Sequence, residues 1–254
     1  MKPAKPIVIG GFYRSGTTLV RRILDSHSHI HCGPEVKFFK DFFGDYINDP
    51  LAHVRLFSTA RSYGLPDTQL LSIFGAAFIA FHEEAARLSG KERWADKNPE
   101  NVLYLREWDA ILPNGFLFVH VVRNPLDALA SLVEIGFEKA VPIEFENKVY
   151  LYERFRKAGD AYCSTNPATS IEIDYDDLVN SPEDAVMTLA EHLGEPFEAQ
   201  MLVSLNAPER RGGIEDPKSS KHAVVHSRSV GRGRAELADS EIELVERHLS
   251  TYLS

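Results

Sequence analysis

Cysteine is nearly absent: Cys32 and Cys163 are the only two in 254 residues, and they form no CxxC pair. That spacing excludes a zinc ribbon and a disulfide framework. Positive charge is the minority sign, with 28 Lys and Arg against 37 Asp and Glu, a net charge of −9. Such a balance argues against a nucleic-acid backbone as the main partner, although basic residues gathered at one site still attract an anion locally. Long hydrophobic runs are missing too. The longest, Leu70 to Phe81, falls short of the roughly 20 residues that a membrane span needs. The chain enters its first apolar run directly after Met-Lys-Pro, with no stretch that reads as a signal peptide. A cytoplasmic chain without a membrane span is therefore expected. Repeats and low-complexity linkers are also lacking, so 254 residues with 44% hydrophobic content are expected to form a single domain, 1–254, around one core.

What is present centres on Ile7 to Leu24, IVIGGFYRSGTTLVRRIL. Ile7-Val8-Ile9 reads as a short buried strand. Gly10 and Gly11 permit a tight turn, and Gly16 permits a second bend. Leu19, Val20, Ile23 and Leu24 then fall on one helical face. A strand, a glycine-bounded loop and a helix cradle an anion, because loop amides point inward at the positive end of the helix dipole. Gly11 to Thr18 is G-x-x-x-x-G-T-T, the nucleotide P-loop pattern with Thr17 where lysine is expected. The loop's fixed cation is Arg14, joined by the hydroxyls of Ser15, Thr17 and Thr18. An arginine fork suits a bidentate phosphate or sulfate better than a Mg-bound triphosphate tail.

Further along, His29 to Cys32 reads as a brief strand ended by Gly33-Pro34-Glu35. His27, His29 and His31 alternate, but without further ligands they read as a solvated connection and not a zinc site. Phe38, Phe39, Phe42 and Phe43 have helical spacing and line either a core or a substrate channel. Asp67 is expected to cap a helix running to Leu88, with Leu70, Ile73, Phe74, Ala77, Phe78, Phe81, Ala85 and Leu88 inward. Residues 36–90 thus read as a helical insertion that shapes a pocket. Arg93 to Asp96 is a strand, and Pro99 opens a helix carrying Val102, Leu105, Trp108 and Leu112 inward. Phe116 to Val122, FLFVHVV, is a strand buried on both faces, with His120 a hydrogen-bonded core residue. Pro125 opens another helix, a long one spans Ile143 to Tyr162, and Ser170 to Tyr175 alternates as a strand. Ser181-Pro182-Glu183 starts the next helix. Residues 206–234 form a polar, basic, glycine-rich loop before a closing helix capped by Asp239 and Ser240.

Strands alternating with helices imply an α/β fold in three layers, a central, mostly parallel sheet of about five strands between helices. Ligands bind such folds outside the carboxyl ends of the strands. In strand order those ends carry Arg14 in the anion loop, Glu35, Lys97, Arg123 and Asp174-Tyr175. Taken singly, Glu35 caps a helix at Val36, Lys97 is a solvated charge and Arg123 is an edge salt bridge. On one rim together they read as a site. Ser131, eight residues after Arg123, supplies a hydroxyl that with this cation suits a second phosphate. The aspartate that a Mg-dependent ATPase places at the end of a central strand is missing, since FLFVHVV ends in Arg123.

Gly11 to Thr18 and Val121 to Ser131, VVRNPLDALAS, in register resemble the PAPS-dependent sulfotransferases, whose donor is 3′-phosphoadenosine 5′-phosphosulfate. The likeness covers most of the chain in order and implies a P-loop-type fold. It implies that Arg14, Ser15, Gly16, Thr17 and Thr18 hold the 5′-phosphosulfate, Arg123 and Ser131 the 3′-phosphate, and that Tyr175 lies near the nucleotide. Ser227-Arg228-Ser229-Val230-Gly231-Arg232 resembles the basic glycine loop that closes over the 3′-phosphate, with Arg228, Gly231 and Arg232 contributing and Ser227 assisting on the sulfuryl side. Lys97-Asn98-Pro99 lacks the histidine of the cytosolic steroid and phenol type. Cys32-Gly33-Pro34-Glu35 with Lys97-Asn98-Pro99 is similar instead to the tyrosylprotein type, which implies Glu35 as base and Lys97 and Arg14 as stabilising cations. Gly233 departs from many bacterial relatives, which carry tryptophan there. The resemblance implies PAPS as co-substrate, PAP as product, no metal and transfer to an acceptor hydroxyl or amine, with peptide tyrosine, carbohydrate, lipid and small alcohol all open as acceptors. A second copy of the chain stays open as a partner. The alternatives are a P-loop small-molecule kinase using Mg-ATP and a non-catalytic nucleotide-binding domain.

Overall fold

The computed structural model describes residues 4–44, 54–136, 141–203 and 229–253. Its strands are β1 (Ile7–Gly11), β2 (Ile30–Cys32), β3 (Arg93–Lys97), β4 (Leu117–Val122) and β5 (Ser170–Asp174). They form one sheet in the order β2-β3-β1-β4-β5, and each neighbouring pair is parallel. The helices are α1 (Thr17–Ser26), α2 (Phe38–Phe43), α3 (Val54–Ser62), α4 (Asp67–Leu88), α5 (Leu105–Ile111), α6 (Pro125–Ile135), α7 (Phe145–Thr165), α8 (Tyr175–Asn180), α9 (Pro182–Leu193), α10 (Gln200–Val203), α11 (Gly233–Glu236) and α12 (Asp239–Leu249). Among the described residues no single helix is long and apolar enough to cross a membrane.

Alternation along the strands divides the core. Ile7, Ile9, Val119, Val121 and Ile173 face α1, α8 and α9, packing on Val20, Ile23, Leu24, Leu178, Val186 and Leu189. Val8 and Phe118 face the other way, into a cluster with Trp108, Leu129, Val149, Phe155 and Val245. The expected three-layer α/β fold is thus observed. Parallel pairing also sets the register that matters for a site. Ile9 lies opposite both Lys97 and Val119, and Gly11 opposite Val121, so the carboxyl ends of the three inner strands share one rim.

Several local expectations are corrected. Asp67 is the first residue of α4 and not its cap, which is Pro66; its carboxylate accepts from Arg61 instead. The buried face of α4 is Leu70, Leu71, Gly75, Phe78, His82 and Ala86, whereas Ile73, Phe74, Phe81 and Leu88 are exposed. The helix is apolar on more than one side, and its neighbours choose the face. Ile111 packs where a Cβ on Gly75 would sit, 2.4 Å from its Cγ2. His82 stacks on Trp94 at 4.7 Å and lies 3.2 Å from Asp96. After Pro99 the chain forms a 3₁₀ turn, Pro99–Leu103, before α5. The last helix is preceded by Ala238 as its cap, with Asp239 already helical. Most of the 206–234 loop lies outside the described residues, as does part of the 36–90 insertion.

His120 is a core residue, 1% exposed, although its Nδ1 finds no hydrogen-bond partner among the described residues. Burial, with help from the Arg156 charge, pushes its pKa down to about 3. The carboxylates 3.7 and 3.8 Å away, Glu172 and Asp160, do not reverse this, because Arg156 lies 3.0 Å from each. The neutral ring fills the space left by Gly159 of α7, where an added Cβ would lie 2.2 Å from Cε1. Gly159→Ala is therefore expected to destabilise the protein by about 1–3 kcal/mol through overpacking. Denaturant unfolding measures it; an unchanged midpoint at unchanged slope would contradict this packing.

Candidate active site

The anion loop is set by what its glycines allow. A Cβ on Gly11 would lie 2.1 Å from the Val121 carbonyl oxygen, so only glycine lets β1 end this close to β4. Phe12 and Tyr13 turn into the core, where Phe12 meets Tyr152 and Phe155 at ring distances of 4.9 and 5.6 Å. With those two rings anchored, the Ser15 amide donates back to Phe12 O at 3.2 Å. Arg14 then takes a left-handed φ of 65°, unusual for a side-chain-bearing residue. Gly16 follows at φ 96° and caps α1 with no side chain of its own to bond the first amides. Those amides keep the partial positive charge of a helix start.

The cations of the rim converge on this loop. Arg14 Nε donates to Ser131 Oγ at 3.1 Å, although the two are 117 residues apart. Arg123, 6% exposed, donates through Nη1 to Arg14 O at 2.9 Å and through Nη2 to Ser229 O at 2.5 Å. Its guanidinium lies 4.3 Å from the centre of the Tyr175 ring. Burial pulls the Arg123 pKa below the ordinary guanidinium range. Tyr175 in turn packs on Gly16, where a Cβ would come within 2.5 Å of its Cδ2. On the other side of the loop Lys97, at the end of β3, donates to Glu35 Oε1 at 2.6 Å and to Thr18 Oγ1 at 3.1 Å. The Lys97 side chain is wholly buried, whereas Glu35 keeps 18% exposure.

The structure thus brings together Arg14, Ser15, Gly16, Thr17, Thr18, Glu35, Lys97, Arg123, Ser131 and Tyr175. It does not bring Arg232 to them. That guanidinium is held by Glu134 and Glu236, each 2.5 Å from Nη2, because the two carboxylates flank it on α6 and α11. Gly231 donates its amide to Asp127 Oδ2 at 2.7 Å. Ser227 and Arg228 lie outside the described residues. The three-histidine stretch makes other contacts: the His27 Nδ1 accepts from the His29 amide and its Nε2 pairs with Pro196 O. Burial pushes the Cys32 thiol pKa up, which removes it as a nucleophile.

Two features escaped sequence reasoning. Glu100, three residues past Lys97, is buried and accepts from Tyr13 Oη at 2.5 Å and Lys40 Nζ at 3.0 Å. Lys37 Nζ lies 3.6 Å from Glu100 and 4.0 Å from Glu35, joining this cluster to the rim. Burial alone would raise the Glu100 pKa, but Lys37, Lys40 and the Tyr13 hydroxyl hold it below the usual range. Asp127 is the second. Its place four residues before Ser131 sets both on one face of α6, but nothing in the sequence points to the amides it binds.

With this geometry in hand, comparison with known proteins is informative. The sequence model of the Sulfotransferase family matches residues 6–199. A candidate protein-tyrosine sulfotransferase of Caenorhabditis briggsae is 27% identical over 209 residues, 77% of this chain and 68% of that protein. The sulfotransferase domain from the curacin biosynthetic pathway superposes with a TM-score of 0.66 at 20% identity, covering 98% of both chains. The sulfotransferase domain of the Synechococcus PCC 7002 olefin synthase has a TM-score of 0.66 at 17% identity over 96% of this chain and 94% of its own. These two structures extend the likeness of fold to nearly the whole chain.

The loop geometry has its own test. Gly16→Ala is expected to lose about 1–2 kcal/mol from the left-handed backbone alone, and more where Tyr175 resists displacement. Equal stability of the variant and the parent in urea would overturn the tight Gly16–Tyr175 contact.

Proposed function

The chain belongs to the sulfotransferase family, and from that premise we propose that it moves a sulfuryl group from PAPS to an acceptor hydroxyl by in-line displacement, with Glu35 as general base. The observation that carries this reading is Lys97. One buried ammonium touches both Glu35, at 2.6 Å, and Thr18 of the anion loop, at 3.1 Å, so the base and the anion site are one side chain apart. A donor bearing phosphates also fits the residues present. Ser15 Oγ and Arg123 Nε are buried polar atoms without a hydrogen-bond partner among the described residues, the kind of group that anionic oxygens satisfy.

In this reading the bond from sulfur to the 5′-phosphate oxygen breaks as the acceptor oxygen attacks, and PAP leaves. Glu35 takes the acceptor's proton. Arg14, Lys97 and the first amides of α1 offset the charge that grows on the sulfuryl oxygens and on the leaving phosphate. Ser15, Gly16, Thr17 and Thr18 hold the 5′-phosphosulfate. Arg123 and Ser131 hold the 3′-phosphate, and Tyr175 packs beside the adenine. Ser227 on the sulfuryl side and Arg228 over the 3′-phosphate complete the proposal from the resemblance alone. Arg232 is left out of it, since Glu134 and Glu236 already hold its guanidinium. Fixed positive charge on Arg14, Lys97 and Arg123 does what a metal would otherwise do, so the proposal uses none. That residues 1–254 act as one sulfotransferase unit is part of it. A peptide tyrosine is the first acceptor to try, because the Caenorhabditis briggsae relative is named for that acceptor; carbohydrates, lipids and small alcohols follow.

Calorimetry with 3′,5′-adenosine bisphosphate and with ATP, each with and without Mg, tests the donor. Metal-independent binding of the bisphosphate, lost in Arg123→Ala, is expected. Mg-dependent ATP binding without response to the bisphosphate would replace this reading with a kinase. For the base, Glu35→Gln is expected to lower kcat by about 10²–10⁴-fold while leaving the KM for PAPS little changed. Turnover at the parent rate would reduce Glu35 to an ion-pair partner of Lys97.

A further inference from the structure

Asp127 has a position that the reaction itself does not explain. It is 2% exposed in the first turn of α6, a helix fixed at its start by Pro125 and by Asn124 accepting from the Leu126 amide at 3.0 Å. Both Asp127 carboxylate oxygens point away from solvent and take backbone amides of a distant segment. Oδ2 accepts from Gly231 and Oδ1 from Gly233, each at 2.7 Å. Two amides two residues apart, converging on one carboxylate, form the concave arrangement that backbone uses to hold anions. Here the anion is the protein's own side chain. The seat is close: a Cβ on Gly233 would lie 2.3 Å from Leu126 C and 2.5 Å from its carbonyl oxygen. Only a residue without a side chain brings the segment this near the backbone of α6. Arg232, between the two glycines, adds its contact with Glu134 at the far end of the same helix.

The fastened segment has one further contact. Two residues before Gly231, the Ser229 carbonyl accepts from Arg123 Nη2 at 2.5 Å. Arg123 is therefore oriented from two sides, by Arg14 O in the anion loop and by Ser229 O in a turn that Asp127 holds down. We propose that Asp127 is a positioning residue for the nucleotide donor, clamping the 229–233 turn to α6 so that Arg123 presents its guanidinium to the donor's 3′-phosphate. The inference rests on the donor reading above and assigns Asp127 no contact with the donor. Asparagine cannot replace the carboxylate, because its NH2 group would face one of the two amide donors.

The test compares 3′,5′-adenosine bisphosphate with 5′-AMP, which lacks the 3′-phosphate, by calorimetry on the full chain. The parent is expected to prefer the bisphosphate. In Asp127→Asn that preference is expected to shrink by about tenfold, the scale of one lost charge-assisted hydrogen bond, while AMP affinity stays as in the parent. A merely structural role would weaken both ligands alike. A parent that does not distinguish the two ligands overturns the donor reading itself. A parent that does, beside an Asp127→Asn variant with the same preference, overturns the clamp and leaves the donor reading standing. Should Asp127→Asn fail to fold, Gly233→Ala decides by the same ratio, since it pushes the turn off Leu126 with Asp127 intact. Undiminished preference there overturns the clamp as well.

Discussion

A buried guanidinium that, among the described residues, makes no ion pair with a carboxylate is the constraint on which the rim of this protein depends. Among the described residues Arg123 donates to two backbone carbonyls and stacks on one ring. Removing a charge from water is costly unless polar groups replace the lost hydration. Carbonyl oxygens do this without an ion pair, while the Asp127 and Asp176 charges act on the guanidinium as well. The arrangement also ties three otherwise separate pieces to the end of β4: the anion loop through Arg14 O, the late turn through Ser229 O, and the start of α8 through Tyr175. Gly11 makes it geometrically possible, since any side chain there would strike the Val121 carbonyl and move the loop away from β4.

The opposite half of the rim is built on a different electrostatic plan. Lys97 is buried with Glu35 as its partner, and Glu100 is buried with Lys40 and Tyr13. Here each buried charge faces its opposite, the condition under which ion pairs survive desolvation. Burial works to raise the Glu100 pKa, but Lys37 and Lys40, joined by the Tyr13 hydroxyl, hold it below the usual carboxylate range. Burial first and the Glu100 charge second push Tyr13 well above the usual phenol range. Lys37 stands between Glu35 and Glu100 and links the two pairs.

How much of this was legible in the sequence follows from the range of each interaction. Strand positions and the residues just beyond their ends depend on local apolar patterning and on parallel topology, so Arg14, Glu35, Lys97, Arg123 and Tyr175 could be gathered before any coordinates. The buried face of α4 could not. That helix is apolar on several sides, and His82 and Gly75 face inward only because Asp96, Trp94 and Ile111 wait there. Arg232 misled for a similar reason. A basic residue in a glycine-rich loop looks free to meet a phosphate, but its partners, Glu134 and Glu236, are set by how α6 and α11 pack. Asp127 was passed over because aspartate in the first turn of a helix ordinarily needs no further account. Its real partners, the amides of Gly231 and Gly233, carry no sequence signature at all.

The two halves together reconcile an anion site with a chain of net charge −9. A negative net charge supplies no long-range attraction for an anion, and salt screens charges beyond about 8–10 Å in any case. What remains is local. On the proposed acceptor side every buried cation is matched by an acid, so that surface offers a donor's phosphates little. On the donor side, among the described residues, Arg123 hydrogen-bonds only to carbonyl oxygens, with the Asp127 and Asp176 carboxylates acting on it without an ion pair, and Gly16 gives the start of α1 no side-chain cap. Positive charge in a low-dielectric setting acts far more strongly than the same charge on a solvated surface. On the proposed donor reading, the phosphates would meet the half of the rim where Arg123 is held by carbonyl oxygens and not the half where Lys97 is paired with Glu35.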